Sequence, residues 1–137
     1  MKAKLLEVLR DGEGHSIFPL RVVKDALDES GIEYTQKTNN TSDWVELLKD
    51  GKQCGAFNLD KKPKKINPKS KYDIVHWPDS LGYYGVHDLQ LIEGVCLYFG
   101  VTEYRSCMGR GFQYRVCYEA LEKAGVIEKE VADGISV

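Results

Sequence analysis

Six lysines lie close together in one stretch of this 137-residue chain, residues 61–71, which contains no Asp or Glu. A lysine ammonium that approaches a phosphate releases condensed counterions, so a basic segment can follow a nucleic-acid backbone without reading its bases. Pro63, Pro68 and the mutual repulsion of the lysines oppose both helix and strand, which predicts an exposed loop. The candidate contact residues of this stretch are Lys61, Lys62, Lys64, Lys65, Lys69 and Lys71.

A second basic segment follows downstream, where residues 104–118 contain arginines and aromatic residues but no acid. Arginine with interleaved aromatic side chains suits phosphate contact with base stacking, and it equally suits the centre of a protein interface. The alternative is that the aromatic residues are core and the arginines pair with acids elsewhere. The candidate contact residues here are Arg105, Arg110, Gln113 and Arg115.

The same region contains the order of a helix-turn-helix unit, with a helix ending at Gly100, a Gly-Val-Thr turn and a second helix after Thr102. The second helix of such a unit needs apolar residues facing the first, yet Ser106 and Gly109 occupy positions that we expect to be buried. Two core helices joined by a glycine turn are the alternative.

Cysteine chemistry is the third candidate. The four cysteines form no Cys-x-x-Cys pair, so their spacing indicates neither zinc binding nor any other metal site, and we expect no cofactor. A cysteine-dependent enzyme would use Cys107 or Cys117 with a histidine as base, but no set of nucleophile, base and orienting group stands out. The histidines are His15, His76 and His87.

Composition is that of an ordinary globular protein, with 42% hydrophobic and 29% charged residues, and the length predicts a single domain over residues 1–137. The net charge of −2 conceals an asymmetry, because the chain outside residues 61–71 carries a balance of −8. The first ten residues lack the features of a secretion signal and no apolar run approaches the ~20 residues of a membrane span, so we expect a cytoplasmic protein without membrane contact.

The N-terminal half predicts a helix followed by a sheet. Pro19 suits the first position of a helix, Leu20, Val23 and Leu27 form its apolar face with Val22 and Ala26 beside them, and Gly31 ends it. Residues 32–36, 44–48 and 53–59 alternate as strands, and Asp50-Gly51 favours a type I′ hairpin turn between the last two. A short helix over residues 44–49 is the alternative for the middle strand.

After the lysine stretch, residues 72–77 alternate and predict a fourth strand. Residues 87–100 then show a helical face of Leu89, Ile92, Cys96 and Phe99, and residues 112–124 predict a last helix with Val116, Ala120 and Leu121 inward. We expect residues 128–137 to form a tail. The predicted fold is α+β: an N-terminal helix, an antiparallel three- to four-stranded meander, and two to three C-terminal helices packed together.

Charge segregation favours a non-catalytic binding module that contacts nucleic acid, or a nucleic-acid-handling protein, through the lysine loop and the arginine segment. The alternative is a protein-binding regulator or inhibitor of a macromolecular enzyme, whose acidic body faces a basic partner. Its apolar anchor would come from Trp77, Tyr83, Tyr84 or Tyr98. A small cysteine-dependent enzyme is the second alternative.

Overall fold

The computed structural model describes residues 3–61, 69–73, 84–102 and 113–127, and these form an α+β fold as predicted. The elements in chain order are α1 (Ala3–Asp11), β1 (Ile17–Pro19), α2 (Leu20–Glu29), β2 (Glu33–Thr38), β3 (Asp43–Lys49), β4 (Lys52–Leu59), β5 (Gly85–His87), α3 (Asp88–Tyr98) and α4 (Gln113–Lys123).

The predicted meander is present as the antiparallel sheet β2-β3-β4. Asp50 and Gly51 have φ values of 53° and 79°, and two successive positive φ angles are what a type I′ turn requires. The alternative helix over residues 44–49 is therefore wrong. Val45 and Leu47 of β3 are buried with their neighbour Phe57 of β4, so one face of the sheet covers the core.

A second sheet, formed by β1 and β5, was not predicted. Its strands pair antiparallel with Phe18 opposite Val86, and both residues are fully buried. Pro19 was predicted as the first helical residue, but it pairs with Gly85 and precedes α2 with φ −59° and ψ 138°. The prediction was wrong because the φ of proline suits an extended residue as well as a helical one, and tertiary pairing selected the extended ψ.

The predicted fourth strand does not begin at Tyr72. Tyr72 and Asp73 are described and lie in an irregular segment, while residues 74–77 lie outside the described residues. Asp73 is fully buried, and its carboxylate accepts a hydrogen bond of 3.0 Å from the N–H of Ile17 in β1. This segment therefore joins β1 through a side chain.

Helix α3 packs on β4 and β3 and α2 contacts β2, while α1 packs on α2 and α4 packs on α3. All five apolar residues predicted for α2 are buried, and Gly31 has a φ of 69° at its end. In α4, Ala120 and Leu121 are buried but Val116 is only half-buried. Tyr114 and Tyr118 take inward positions that were not assigned to them, and the Tyr114 hydroxyl donates to the carbonyl of Leu9 in α1 at 2.6 Å.

The connection from α1 to β1 is held by the carboxylate of Asp88, the first residue of α3. Its Oδ2 accepts hydrogen bonds from the N–H groups of Glu13, Gly14 and Ser16 at 2.9, 2.7 and 3.1 Å. Asp88 is fully buried, and these bonds offset the cost of burying its charge. The loop that follows the C-terminus of α1 is thereby attached to the first residue of α3.

Helix α3 crosses β4 at a point where both backbones carry glycine. A Cβ at Gly55 would lie 2.5 Å from the carbonyl oxygen of Gly94, and one at Gly94 would lie 3.2 Å from that of Ala56. This close approach lets α3 pack on the sheet. The carbonyl oxygens of Gly94 and Ala56 belong to the backbone, so neither can move aside without shifting α3 or β4.

Replacing Gly55 by Ala should therefore lower the free energy of unfolding by roughly 1–3 kcal/mol, because the added methyl group separates α3 from β4. Urea denaturation measures this change. Gln53→Ala, at an exposed position of the same strand, is the control and should stay within about 0.5 kcal/mol of the parent. Equal stability of the two variants would contradict the close contact.

Candidate functional site

The lysine stretch begins at a buried carboxylate. Lys61 follows β4, and its ammonium lies 3.1 Å from Oδ2 of Asp43, whose side chain is 4% exposed while that of Lys61 is 65% exposed. Asp43 lies directly opposite buried Leu59 on the neighbouring strand, and the side chains of opposite residues point to the same face of the sheet. The carboxylate of Asp43 therefore points inward. Hydrogen bonding from the Thr38 hydroxyl, and then from the Lys61 ammonium, lowers the pKa of Asp43. Asp43 in turn raises the pKa of Lys61.

The other end of the stretch is attached to α1. The hydroxyl of Ser70 donates to the carboxylate of Asp11, and the N–H groups of Lys71 and Tyr72 lie 3.4 and 3.3 Å from the same carboxylate. The Tyr72 hydroxyl donates to Glu7 at 2.7 Å. Ser70 is buried between exposed Lys69 and Lys71, so this end is a docked segment that presents its lysines outward.

The predicted lysines therefore have different surroundings. The ammonium of Lys71 lies 5.0 Å from the ring centroid of Tyr72, a cation–π contact. Lys61 is ion-paired and Lys69 is exposed. Lys62, Lys64 and Lys65 lie outside the described residues.

Arg115 is the described arginine of the downstream segment. Its guanidinium lies 5.2 Å from the ring centroid of Tyr118, and its Nε lies 3.3 Å from Glu119. The Tyr118 hydroxyl also accepts a hydrogen bond of 3.2 Å from Nε of Arg10 in α1, so the two arginines meet at one buried tyrosine. Gln113 begins α4, and Arg105 and Arg110 lie outside the described residues.

Helix α1 brings these two segments together. Glu7 and Asp11 hold the end of the lysine stretch, and Arg10, about 60° from Glu7 around the helix axis, contacts α4. We name the resulting group the α1 basic cluster: Arg10, Lys69, Lys71 and Arg115. Arg10 was not predicted as a contact residue, because helix α1 was not predicted from the sequence.

The acids nearest to this cluster take part in its construction. Asp11 and Glu7 accept hydrogen bonds from residues 70–72, and Glu119 pairs with Arg115. These three carboxylates partly neutralise the four cations of the cluster.

Two cavities meet at Lys61. The larger, about 720 Å³, lies between α2 and the sheet, and we name it the α2 cleft; among its lining residues are Arg21, Lys24, Asp25, Tyr34, Lys61 and Tyr84. The smaller, about 340 Å³, is a polar groove at the start of α3, where His87 Nε2 lies 3.9 Å from the carboxylate of Asp60. That distance is too long for a direct hydrogen bond between catalytic partners.

Cys96 and Cys117 lack the solvent access that a nucleophile needs. Cys96 and Cys117 are buried, and the Cys96 thiol donates to the carbonyl of Cys117 at 3.7 Å. Hydrogen bonding to Cys117 and burial raise the pKa of Cys96, which disfavours the reactive thiolate. Cys107 lies outside the described residues.

Of the aromatic anchors considered for a protein partner, Tyr84 and Tyr98 are half-buried. The Tyr98 ring packs edge-on against Phe99, with Lys49 5.3 Å above it. Trp77 and Tyr83 lie outside the described residues. Nothing in the described surroundings of Tyr84 and Tyr98 specifies a protein partner.

The docking of the lysine stretch on α1 predicts a stability loss in alkali. Burial, together with the hydrogen bond to Glu7, raises the pKa of Tyr72 from 10.0 to about 12. The unfolded chain therefore loses this proton first, so the contribution of Tyr72 is complete below pH 10 and is lost as the pH rises to about 12.

Tyr72→Phe should lower the free energy of unfolding at neutral pH by about 1 kcal/mol, because it removes one hydrogen bond. It should also make the free energy of unfolding decline less steeply between pH 10 and pH 12. Urea denaturation across that pH range measures this change. Tyr98→Phe is the matched control on α3. An unchanged alkaline decline in Tyr72→Phe would contradict the docking.

The Asp43 contact predicts the opposite pH dependence. Because its pKa is lowered in the folded state, the carboxylate stabilises the fold above its ordinary pKa of 3.8, and this contribution disappears as the pH falls through the lower folded value. Asp43→Asn should therefore lose less stability than the parent chain on acidification below pH 4. Lys61→Met should reduce the same acid dependence, whereas Lys52→Met, in the β3–β4 hairpin, should leave it unchanged. Identical acid profiles for all four proteins would contradict the ion pair.

Residues 3–61, 69–73, 84–102 and 113–127 contain no group of three or more His, Cys, Asp or Glu side chains arranged to hold a metal ion. Within the same ranges, each helix is too short or too polar to cross a membrane. Comparison of the chain with protein-family models, curated proteins and solved structures gave no match.

Proposed function

We propose that this chain is a binding module for nucleic acid, which it contacts through phosphates with residues 61–71 and the α1 basic cluster. The observation that carries the proposal is that both basic segments contact helix α1: residues 70–72 bind Asp11 and Glu7, and Tyr118, which contacts Arg115, binds Arg10. Lys71 and Arg115, which are 44 residues apart in the chain, thereby belong to segments that contact the same helix.

The physical basis is counterion release combined with orientation. Each lysine or arginine that replaces a condensed cation on a phosphate contributes to affinity in a salt-dependent way. The chain outside residues 61–71 carries −8, which disfavours the approach of nucleic acid to other parts of the surface. A local concentration of lysine therefore orients the module as well as attracting it.

The anchoring of the lysine stretch at both ends supports the same function. Lys61 is paired with Asp43, and residues 70–72 are bound to Asp11, so residues 62–68 connect two fixed points. Lys62, Lys64 and Lys65 lie between these two points in the sequence, so they belong to a stretch whose two ends are fixed on the fold.

Binding should be detectable by fluorescence anisotropy with a labelled oligonucleotide at low ionic strength, and log affinity should fall linearly with log salt. Lys71→Ala and Arg115→Ala should each weaken binding and reduce the magnitude of the salt slope by about 0.7–0.9, the loss of one phosphate contact. Lys52→Ala in the β3–β4 hairpin is the control and should keep the parent slope.

Circular dichroism verifies that each variant is folded. Undetectable binding at low salt, or an affinity that salt does not change, would contradict the proposal. An equal loss in Lys52→Ala and Lys71→Ala would show diffuse attraction in place of a defined surface.

A further inference from the structure

The α2 cleft combines aromatic rings with cations. Its volume of about 720 Å³ lies in the range of cavities that enclose small organic ligands. Tyr34 and Tyr84 both line it and are half-buried, so part of each residue is open to solvent and the rest packs against the protein. Arg21, Lys24 and Lys61 line the same cavity.

Rigid elements position the two tyrosines. Tyr34 belongs to β2 and is paired with Leu47 of the central strand, and burial together with the nearby Asp28 of α2 raises the pKa of its hydroxyl. The carbonyl of Tyr84 accepts a 3.0 Å hydrogen bond from the N–H of Leu20, the first residue of α2. Both rings also pack against the core. A flat ligand that stacks here would therefore immobilise few additional side-chain torsions.

The charges of the cleft favour a nucleotide over a bare phosphate. Lys24 donates to Gln36 at 3.1 Å and Lys61 pairs with Asp43, whereas Arg21 forms no ion pair with any described residue. Asp25 and Asp28 also line the cleft and are exposed, so they offset much of the positive charge that a bare phosphate would need. A base has a neutral face for stacking and amino groups that can donate to a carboxylate, while its phosphate can pair with Arg21.

Lys61 connects this cleft to the proposed binding surface, because it lines the cleft and is also the first residue of the lysine stretch. A strand whose phosphates follow the lysines would pass the cleft at Lys61. A base in a duplex is stacked and paired, so only an unpaired base can enter such a pocket without the cost of extrusion.

We propose that the α2 cleft receives one unpaired base of a single-stranded nucleic acid, which stacks on Tyr34 and Tyr84. The proposal rests on the nucleic-acid binding proposed above and adds to it a preference for single strands. Stacking of a base on an aromatic side chain typically changes affinity by roughly 5- to 150-fold.

The test compares a short single strand carrying 2-aminopurine with the duplex of the same sequence. The parent chain should bind the single strand more tightly, and the 2-aminopurine fluorescence should change as the base stacks. Tyr34→Leu should weaken single-strand binding by roughly tenfold and abolish the fluorescence change, whereas its duplex affinity should stay at the parent value. Tyr34→Phe keeps the ring and should behave as the parent, and Tyr98→Leu on α3 is the control for loss of a tyrosine elsewhere.

The outcomes separate the two proposals. Equal binding of single strand and duplex, with Tyr34→Leu changing neither, would overturn the base pocket and leave phosphate binding intact. Equal weakening by Tyr34→Leu and Tyr98→Leu would overturn the pocket in the same way. Absence of binding to either oligonucleotide at low salt would overturn the proposed function itself.

Discussion

The buried carboxylate of Asp88 is the interaction on which the arrangement of this molecule depends. It accepts hydrogen bonds from three backbone N–H groups of residues 13–16 and from that of Leu89, its own neighbour in α3. Without a carboxylate there, these donors would be left unsatisfied at roughly 1–3 kcal/mol each. The loop that they belong to sets where α1 ends and where β1 begins. The basic cluster around α1 is therefore supported by a residue that does not belong to it.

Acidic side chains in this protein hold basic segments in place. Asp11 and Glu7 bind the end of the lysine stretch, and Asp43 binds its beginning. A stretch rich in lysine would otherwise gain little from packing, since lysines repel each other and prefer water. The acidic residues of the rest of the chain consequently have two physical effects: they anchor the two ends of the lysine stretch, and their excess charge repels polyanions elsewhere.

The ion pair between Asp43 and Lys61 also explains why the two cavities meet at Lys61. Asp43 faces inward at one end of β3, because β-strand alternation directs it to the same side as Val45 and Leu47. Burying a carboxylate requires a partner, and Lys61 at the end of the neighbouring strand provides it. Both paired side chains line the polar groove, and Lys61 also lines the α2 cleft. One ion pair thereby connects the start of the lysine stretch to a surface with aromatic residues.

Local patterns in the sequence determined the meander, helix α2 and the exposure of the described lysines. Asp50-Gly51 specifies its turn through backbone conformation, and the apolar face of α2 follows from its spacing alone, so neither requires knowledge of distant residues.

Tertiary structure decided the rest. Strands β1 and β5 have three residues each, too few for periodicity to appear, and they exist because distant segments pair. The contacts of Asp88 with residues 13–16, of Asp11 with Ser70 and of Arg10 with Tyr118 join residues far apart in the chain, and no local propensity records such a contact. The sequence by itself therefore identified which residues carry the positive charge, and the tertiary structure decided which of them become neighbours.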